Sequence, residues 1–252
     1  MTETTGKLDR GDGVALAWAK LDGRGPTVVL LPGYRSDMGG DKATALAAWC
    51  AARGQALLRL DYSGHGASGG RFEDGTIGQW AADALAVIAA QTRGPLVLVG
   101  SSMGGWIALL AARTLGARLA GLVGVAAAPD FTETLMWEAM TFAERTQLMD
   151  QGQLVVPSQY GESYAITRAL IEDGRRNLVL GGPIALDCKL RLLHGQRDPD
   201  VPWETALRIA ERATGADVRI VLLKDGDHRL SRPADLSLLC ATLGEVLGED
   251  GA

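Results

Sequence analysis

The chain has 252 residues, 47% hydrophobic and 22% charged, a balance that excludes a disordered protein and supplies ample apolar surface for a core. A formal net charge of -5, with no basic run longer than Arg175-Arg176, leaves no electrostatic footprint for nucleic acid or an anionic membrane. Three cysteines, Cys50, Cys188 and Cys240, fall in no C-x-x-C spacing and point to neither a disulfide framework nor a zinc site, which fits a reducing compartment. Residues 1–10 carry acids and no apolar stretch, which argues against a secretory signal or transit peptide, so a cytoplasmic protein is expected. The longest apolar run, residues 119–128, is far short of the ~20 residues of a membrane span.

In chain order, residues 14–20 read as a strand ending in an Asp-Gly turn, and 27–31 as a buried strand ending at Pro32-Gly33. A helix over 41–53, a strand over 56–60, a helix over 76–92 and a strand over 96–99 follow. Residues 103–115 are helical and 119–127 form another buried strand. After a gap come a strand at 190–193, a helix at 203–214, a strand at 218–223 and a helix at 235–247. Apolar strands alternating with helices imply an α/β fold, with a mostly parallel central sheet covered on both faces. The gap, 129–183, shows helical pieces without a convincing buried strand and reads as a small helical cap inserted into a core of 1–128 and 184–252. Phe131, Leu135, Ala139 and Phe142 share one face of it, enriched by Met136, Trp137 and Met140.

Reactive groups in such sheets sit where strands end. Gly100-Ser101-Ser102-Met103-Gly104 matches G-x-S-x-G, in which small residues let a strand turn sharply into a helix and leave the central serine exposed. Gly66-Ala67-Ser68-Gly69-Gly70 matches too, but without a strand before it or a helix after it, so Ser68 reads as a turn residue and Ser102 as the nucleophile. A serine needs a histidine base and an acid to orient that base. Of three histidines, His194 and His228 follow Ser102, as the chain order serine, acid, histidine requires. His194 lies at a strand end with no room for an acid-bearing turn before it, whereas His228 lies in a loop after the last strand and is the expected base. His65, upstream, reads as a turn histidine near the pocket. Asp198 and Asp200 both qualify by position as the acid. Backbone N–H groups of Met103 and of Tyr34, just past Pro32-Gly33, are the expected oxyanion donors. No H-E-x-x-H or comparable ligand spacing occurs, so no metal or cofactor is expected.

With Pro32-Gly33-Tyr34, residues 61–68, 100–106 and 191–203, and Asp227-His228-Arg229, the chain resembles the α/β-hydrolase family over nearly its whole length. More closely it is similar to the small-cap branch of acyl-protein thioesterases and acyl-glucuronide esterases, whose animal members are mitochondrial. The resemblance aligns Asp198, in H-G-x-x-D-x-x-V-P, as the triad acid and leaves Asp200 at a helix entry or on the surface. It implies a serine hydrolase that cleaves esters or thioesters through an acyl-enzyme, on a small-molecule or acylated-protein substrate. Trp106, Met136 and Met140 are expected to line an apolar acyl pocket, and Arg35, Arg71 and Arg229 to attract an acidic leaving group. The N-terminal residues depart from the mitochondrial members and favour a bacterial-type cytosolic enzyme. An amidase, peptidase or lipase-like enzyme of the same fold, or a non-catalytic hydrolase-fold binding protein, is the alternative.

Overall fold

The apolar runs of the chain assemble side by side into one sheet. The computed structural model describes residues 2–158 and 161–248. Up to the serine turn the elements are β1 (Glu3–Asp9), β2 (Ala15–Leu21), β3 (Arg24–Leu31), α1 (Asp41–Arg53), β4 (Gln55–Leu60), α2 (Ile77–Gln91) and β5 (Leu96–Ser101). Then come α3 (Met103–Leu115), β6 (Leu119–Val125), α4 (Phe142–Gln151), β7 (Gln153–Ser158), β8 (Gly161–Thr167) and α5 (Arg168–Arg176). The chain finishes with β9 (Lys189–Gly195), α6 (Glu204–Arg212), β10 (Val218–Leu223) and α7 (Pro233–Leu247). The main sheet has the order β1-β2-β4-β3-β5-β6-β9-β10. It is antiparallel from β1 to β4 and parallel from there to β10.

Side-chain alternation along the central strands explains why both faces are covered. Val29, Leu31 and Leu98 turn to one face and pack with Ile77 and Trp80 of α2 and Ile107 of α3. Val28, Leu30, Val97 and Val99 turn to the other, against Leu46 of α1 and Leu239 and Leu243 of α7. A period of two with both phases apolar is what a sheet between two helical layers demands. Each such side chain contributes about 1.5–3 kcal/mol by leaving water.

Two elements differ from the reading of the sequence for local reasons. Strand β1 was not anticipated because its Glu, Thr, Lys and Asp residues carry little apolar signal. It is an edge strand paired with β2 from Glu3↔Leu21 to Asp9↔Ala15, and charged side chains suit an edge that must not recruit another strand. Strand β6 stops at Val125, short of residue 127, because Ala126 takes φ 46° and turns the chain out of the sheet.

The insertion between β6 and β9 is not purely helical. A wide helical turn at Thr132–Trp137 leads into α4, and β7 and β8 form a separate antiparallel hairpin before α5. Leu154 is buried and Val155 is 61% exposed, a period of two too short to stand out in the sequence. Met140, Leu148, Leu154, Ile166 and Ile171 make a small core of the insertion's own. Its last residues are held by its own entrance and, at two points, by the main body. The Asp130 carboxylate accepts the Val179 and Leu180 N–H groups at 2.8 and 2.9 Å. Trp106 Nε1 donates to the Asn177 carbonyl at 3.0 Å, and Gly78 N–H donates to Asp173 at 2.6 Å.

Candidate active site

At the end of β5 the chain reverses into α3 through Ser102, whose φ of 52° and ψ of -119° lie outside the ordinary regions for a side-chain-bearing residue. Such strain costs about 1–3 kcal/mol and persists only where the surroundings enforce it. The Ser102 N–H donates to the Val125 carbonyl at 2.9 Å, and its carbonyl accepts from Gly105 and Ala128 at 2.9 and 3.0 Å. The flanking glycines permit the close approach. A Cβ at Gly100 would lie 2.4 Å from the Gly104 carbonyl oxygen, and one at Gly104 would lie 2.0 Å from that of Leu31. Ser102 precedes the first turn of α3 but its side chain does not cap the helix. It lies instead 3.1 Å from His228 Nε2.

His228 Nδ1 is 2.8 Å from Asp198 Oδ2. Because a carboxylate only accepts, Nδ1 carries the proton and Nε2 is left to accept the Ser102 hydroxyl. Asp198 is held from all sides: Oδ1 accepts the N–H groups of Asp200 and Val201, both at 2.8 Å, and Oδ2 is also 3.2 Å from His194 Nε2. Burial alone would push this carboxyl upward, but hydrogen bonds from His194 and His228 outweigh it and hold Asp198 well below the usual carboxylate range. The acid and histidine loops are laced together by Gln196 N–H to the Leu223 carbonyl at 2.8 Å and Arg197 N–H to that of Gly226 at 2.9 Å. From α1, Lys42 Nζ donates to the Arg229 carbonyl at 2.5 Å, fixing the residue after the histidine.

The loop after β3 passes beside the serine, close enough that a Cβ at Gly33 would lie 3.3 Å from Ser102 Cβ. Arg35 takes φ 58°, and its N–H donates to His65 Nε2 at 3.3 Å, while His65 Nδ1 donates to the Ser63 carbonyl at 3.1 Å. His65 thus sits at the foot of the loop that presents Tyr34. Met103 is the first residue of α3, where helix N–H groups lack partners within the helix. The Tyr34 ring packs edge-on against Phe72, Phe131 and Tyr164 at 4.9, 5.6 and 5.8 Å.

A cleft of about 920 Å³ opens over the serine. Tyr34, Phe131, Leu135, Met136, Pro157 and Tyr164 form its apolar wall, and Arg35, Asp37, Asp41, Lys42, Asp200 and Arg229 a polar side of mixed charge. Met136 is therefore at the cleft, but two expectations are corrected. Trp106 is fully buried beneath Phe131, at 5.6 Å between rings, because a side chain one helical turn past the serine points back into the core. Met140 packs with Leu148 and Leu154 inside the insertion. Arg35 and Arg229 face the cleft, whereas Arg71 does not and lies 3.7 Å from Glu73 at the surface. Tyr164 went unforeseen because it belongs to the unforeseen hairpin. Ser68 is spent on backbone, donating to Asp61 at 2.7 Å and accepting from Ala17 at 2.8 Å. Among the described residues, one trio of possible metal-binding side chains, Asp198, Asp200 and His228, lies within 4.8 Å. Two of its members are already engaged with each other.

The family model described as serine aminopeptidase, S33, matches residues 24–169. The chain is 38% identical over 242 residues to the human mitochondrial palmitoyl-protein thioesterase ABHD10, covering 95% of this chain and 79% of that protein. A solved structure of a hydrolase from Agrobacterium vitis S4 superposes with a TM-score of 0.92 at 41% identity, covering 97% of this chain and 98% of the other. The structure of mouse alpha/beta hydrolase domain-containing protein 10 gives 0.91 at 34%, covering 98% and 100%. The mitochondrial relatives overturn the cytoplasmic expectation, which rested on the composition of residues 1–10. Among the described residues, no helix is long and apolar enough to cross a membrane.

Proposed function

Because the chain belongs to the α/β-hydrolase family and is a serine hydrolase of carboxylic ester or thioester bonds, we propose that Ser102, His228 and Asp198 perform that hydrolysis as nucleophile, base and orienting acid. The observation that carries this is the unbroken chain of contacts, 3.1 Å from Ser102 Oγ to His228 and 2.8 Å from His228 to Asp198. Ser102 Oγ attacks the acyl carbonyl while its proton passes to His228 Nε2, and buried Asp198 stabilises the resulting imidazolium. The N–H groups of Met103 and Tyr34 receive the oxyanion as the carbonyl oxygen takes up charge. When the tetrahedral species collapses, the thiol or alcohol leaves with the proton held by His228. Water, deprotonated by the same imidazole, then releases the acid and regenerates Ser102.

The substrate class is an acylated protein or a small acyl thioester with an apolar acyl chain. Phe131, Leu135, Met136 and Tyr164 offer an apolar wall next to the serine, and the name of the relatives, palmitoyl-protein thioesterase, supports the same choice. Residues 129–183 act as the cap that supplies most of that wall, on a core of 1–128 and 184–252. The description of the matching family as a serine aminopeptidase favours peptide amides as a second reading. Ser102→Ala should lower turnover of a palmitoyl-cysteine peptide on the order of a millionfold and abolish labelling by a fluorophosphonate probe. Activity within a hundredfold of the native protein would remove Ser102 from the reaction. Faster cleavage of a peptide amide than of the thioester would favour the second reading.

A further inference from the structure

The triad leaves one histidine beside the acid without a role. His194, in β9 opposite Leu222 of β10, is 1% exposed, on the strand face of Leu190 and Leu192. An imidazole in such surroundings is costly unless hydrogen-bonded. Its Nε2 lies 3.1 Å from the Val201 carbonyl and 3.2 Å from Asp198 Oδ2. Both are acceptors, so Nε2 carries the proton and donates to both. The carbonyl alone would satisfy that N–H. The second contact falls on the same carboxylate oxygen that His228 Nδ1 meets at 2.8 Å.

We propose that His194 is a positioning residue of the triad: its ring N–H fixes the lone pairs of Asp198 Oδ2 toward His228 and draws off part of that oxygen's negative charge. The inference rests on the assignment of Ser102, His228 and Asp198 above. Two backbone N–H groups at 2.8 Å hold Oδ1 whatever occupies position 194, so the acid stays in place when His194 is replaced. What changes is the charge that His228 feels. Without the second donor, Oδ2 carries more charge toward His228 and attracts the imidazolium more strongly. Other groups facing this histidine are Ser102 at the serine turn and Asp200 in the acid loop, while Lys42 and Asp41 of α1 hold its neighbour Arg229. His194 reaches this histidine through Asp198 Oδ2, so its replacement acts on that carboxylate.

His194→Phe keeps an aromatic ring and removes the donor. The acid limb of its kcat profile should move to higher pH, lowering kcat at about pH 6 by on the order of tenfold while KM holds. His194→Gln, which restores an N–H donor, should bring the limb back. In the native protein labelled with 15N-histidine, His194 should show the Nε2–H tautomer, a measurement that needs no variant to fold. The Nδ1–H tautomer, or a Phe variant with the native acid limb and kcat, would overturn the proposal. An inactive Ser102→Ala protein beside an unaltered His194→Phe profile refutes this role alone. An active Ser102→Ala protein refutes the triad itself.

Discussion

Replacing Asp198 by Asn changes two atoms' chemistry at almost constant shape, and the structure states what each would do. Asn Oδ1 can keep the N–H groups of Asp200 and Val201, both at 2.8 Å. The new NH2 then stands where Oδ2 was, facing two ring N–H donors. His194 retains the Val201 carbonyl at 3.1 Å, so its proton is not stranded. His228, with 17% of its side chain exposed, can accept the new NH2 at Nδ1 by moving its own proton to Nε2. The fold therefore loses only about 1–3 kcal/mol, the range for one disturbed buried hydrogen bond. The chemistry loses far more, because Nε2 can no longer take the proton of Ser102. A kcat lower on the order of ten-thousandfold is expected, the size seen when a triad acid is amidated in another hydrolase, or about 5 kcal/mol of barrier. Steady-state hydrolysis of an acyl thioester, with urea unfolding as the control for the fold, measures both quantities. A folded Asp198→Asn protein with kcat within about tenfold of native would refute the reasoning.

Acidification reaches the same carboxylate by another route. Its folded-state affinity for protons lies below the ordinary value of 3.8, so the stability it contributes is complete above 3.8 and is lost as pH falls through the lower, folded value. Urea unfolding should show native and Asp198→Asn stabilities converging as pH falls below 3.8, and a constant gap would contradict the sign. Asp198 remains ionised through the mildly acidic range, so the acid limb of kcat/KM should fall with the slope of one proton. Asp130→Ala strands the Val179 and Leu180 N–H groups, which Asp130 accepts at 2.8 and 2.9 Å. At about 1–3 kcal/mol for each buried orphan, a loss of at least about 2 kcal/mol is expected by urea unfolding, and a change under 0.5 kcal/mol would show that the clamp bears no strain.

The parts of the molecule legible in the sequence are those whose signal is local. Helices over 41–53 and 103–115 coincide with α1 and α3, the first closed by Gly54 in a left-handed C-cap and the second opened at Ser102. The run of apolar strands sufficed for the parallel α/β class that the structure and its relatives share. Orientation was less legible, because it depends on what lies across the core. Trp106 and Met140 are as apolar as Met136, yet only Met136 reaches the cleft. His194 could be set aside as a base from its place at a strand end. Its contact with Asp198 exists only once the loop from 195 to 201 folds back over it. The hairpin of β7 and β8 escaped notice because Leu154 and Ile166, its buried apolar side chains, serve the insertion's own small core.

The helix that carries the nucleophile also grips the far end of the insertion, through the 3.0 Å bond from Trp106 Nε1 to the carbonyl of Asn177. Residues 177–180 lie beyond the end of α5, and there the two ends of the insertion are clasped together: Asp130, itself at φ 61°, holds the Val179 and Leu180 N–H groups. The insertion is consequently a graft with roots rather than an exchangeable module. A chimera that takes its cap from a relative must be joined at the turn of Ala126 and after Leu180, so that position 130 travels with the two N–H groups it holds, and must bring with it a carbonyl for Trp106. A cut at Arg176, where the last helix of the insertion ends, would part the Asp130 carboxylate from the Val179 and Leu180 N–H groups and leave those two donors buried without their acceptor.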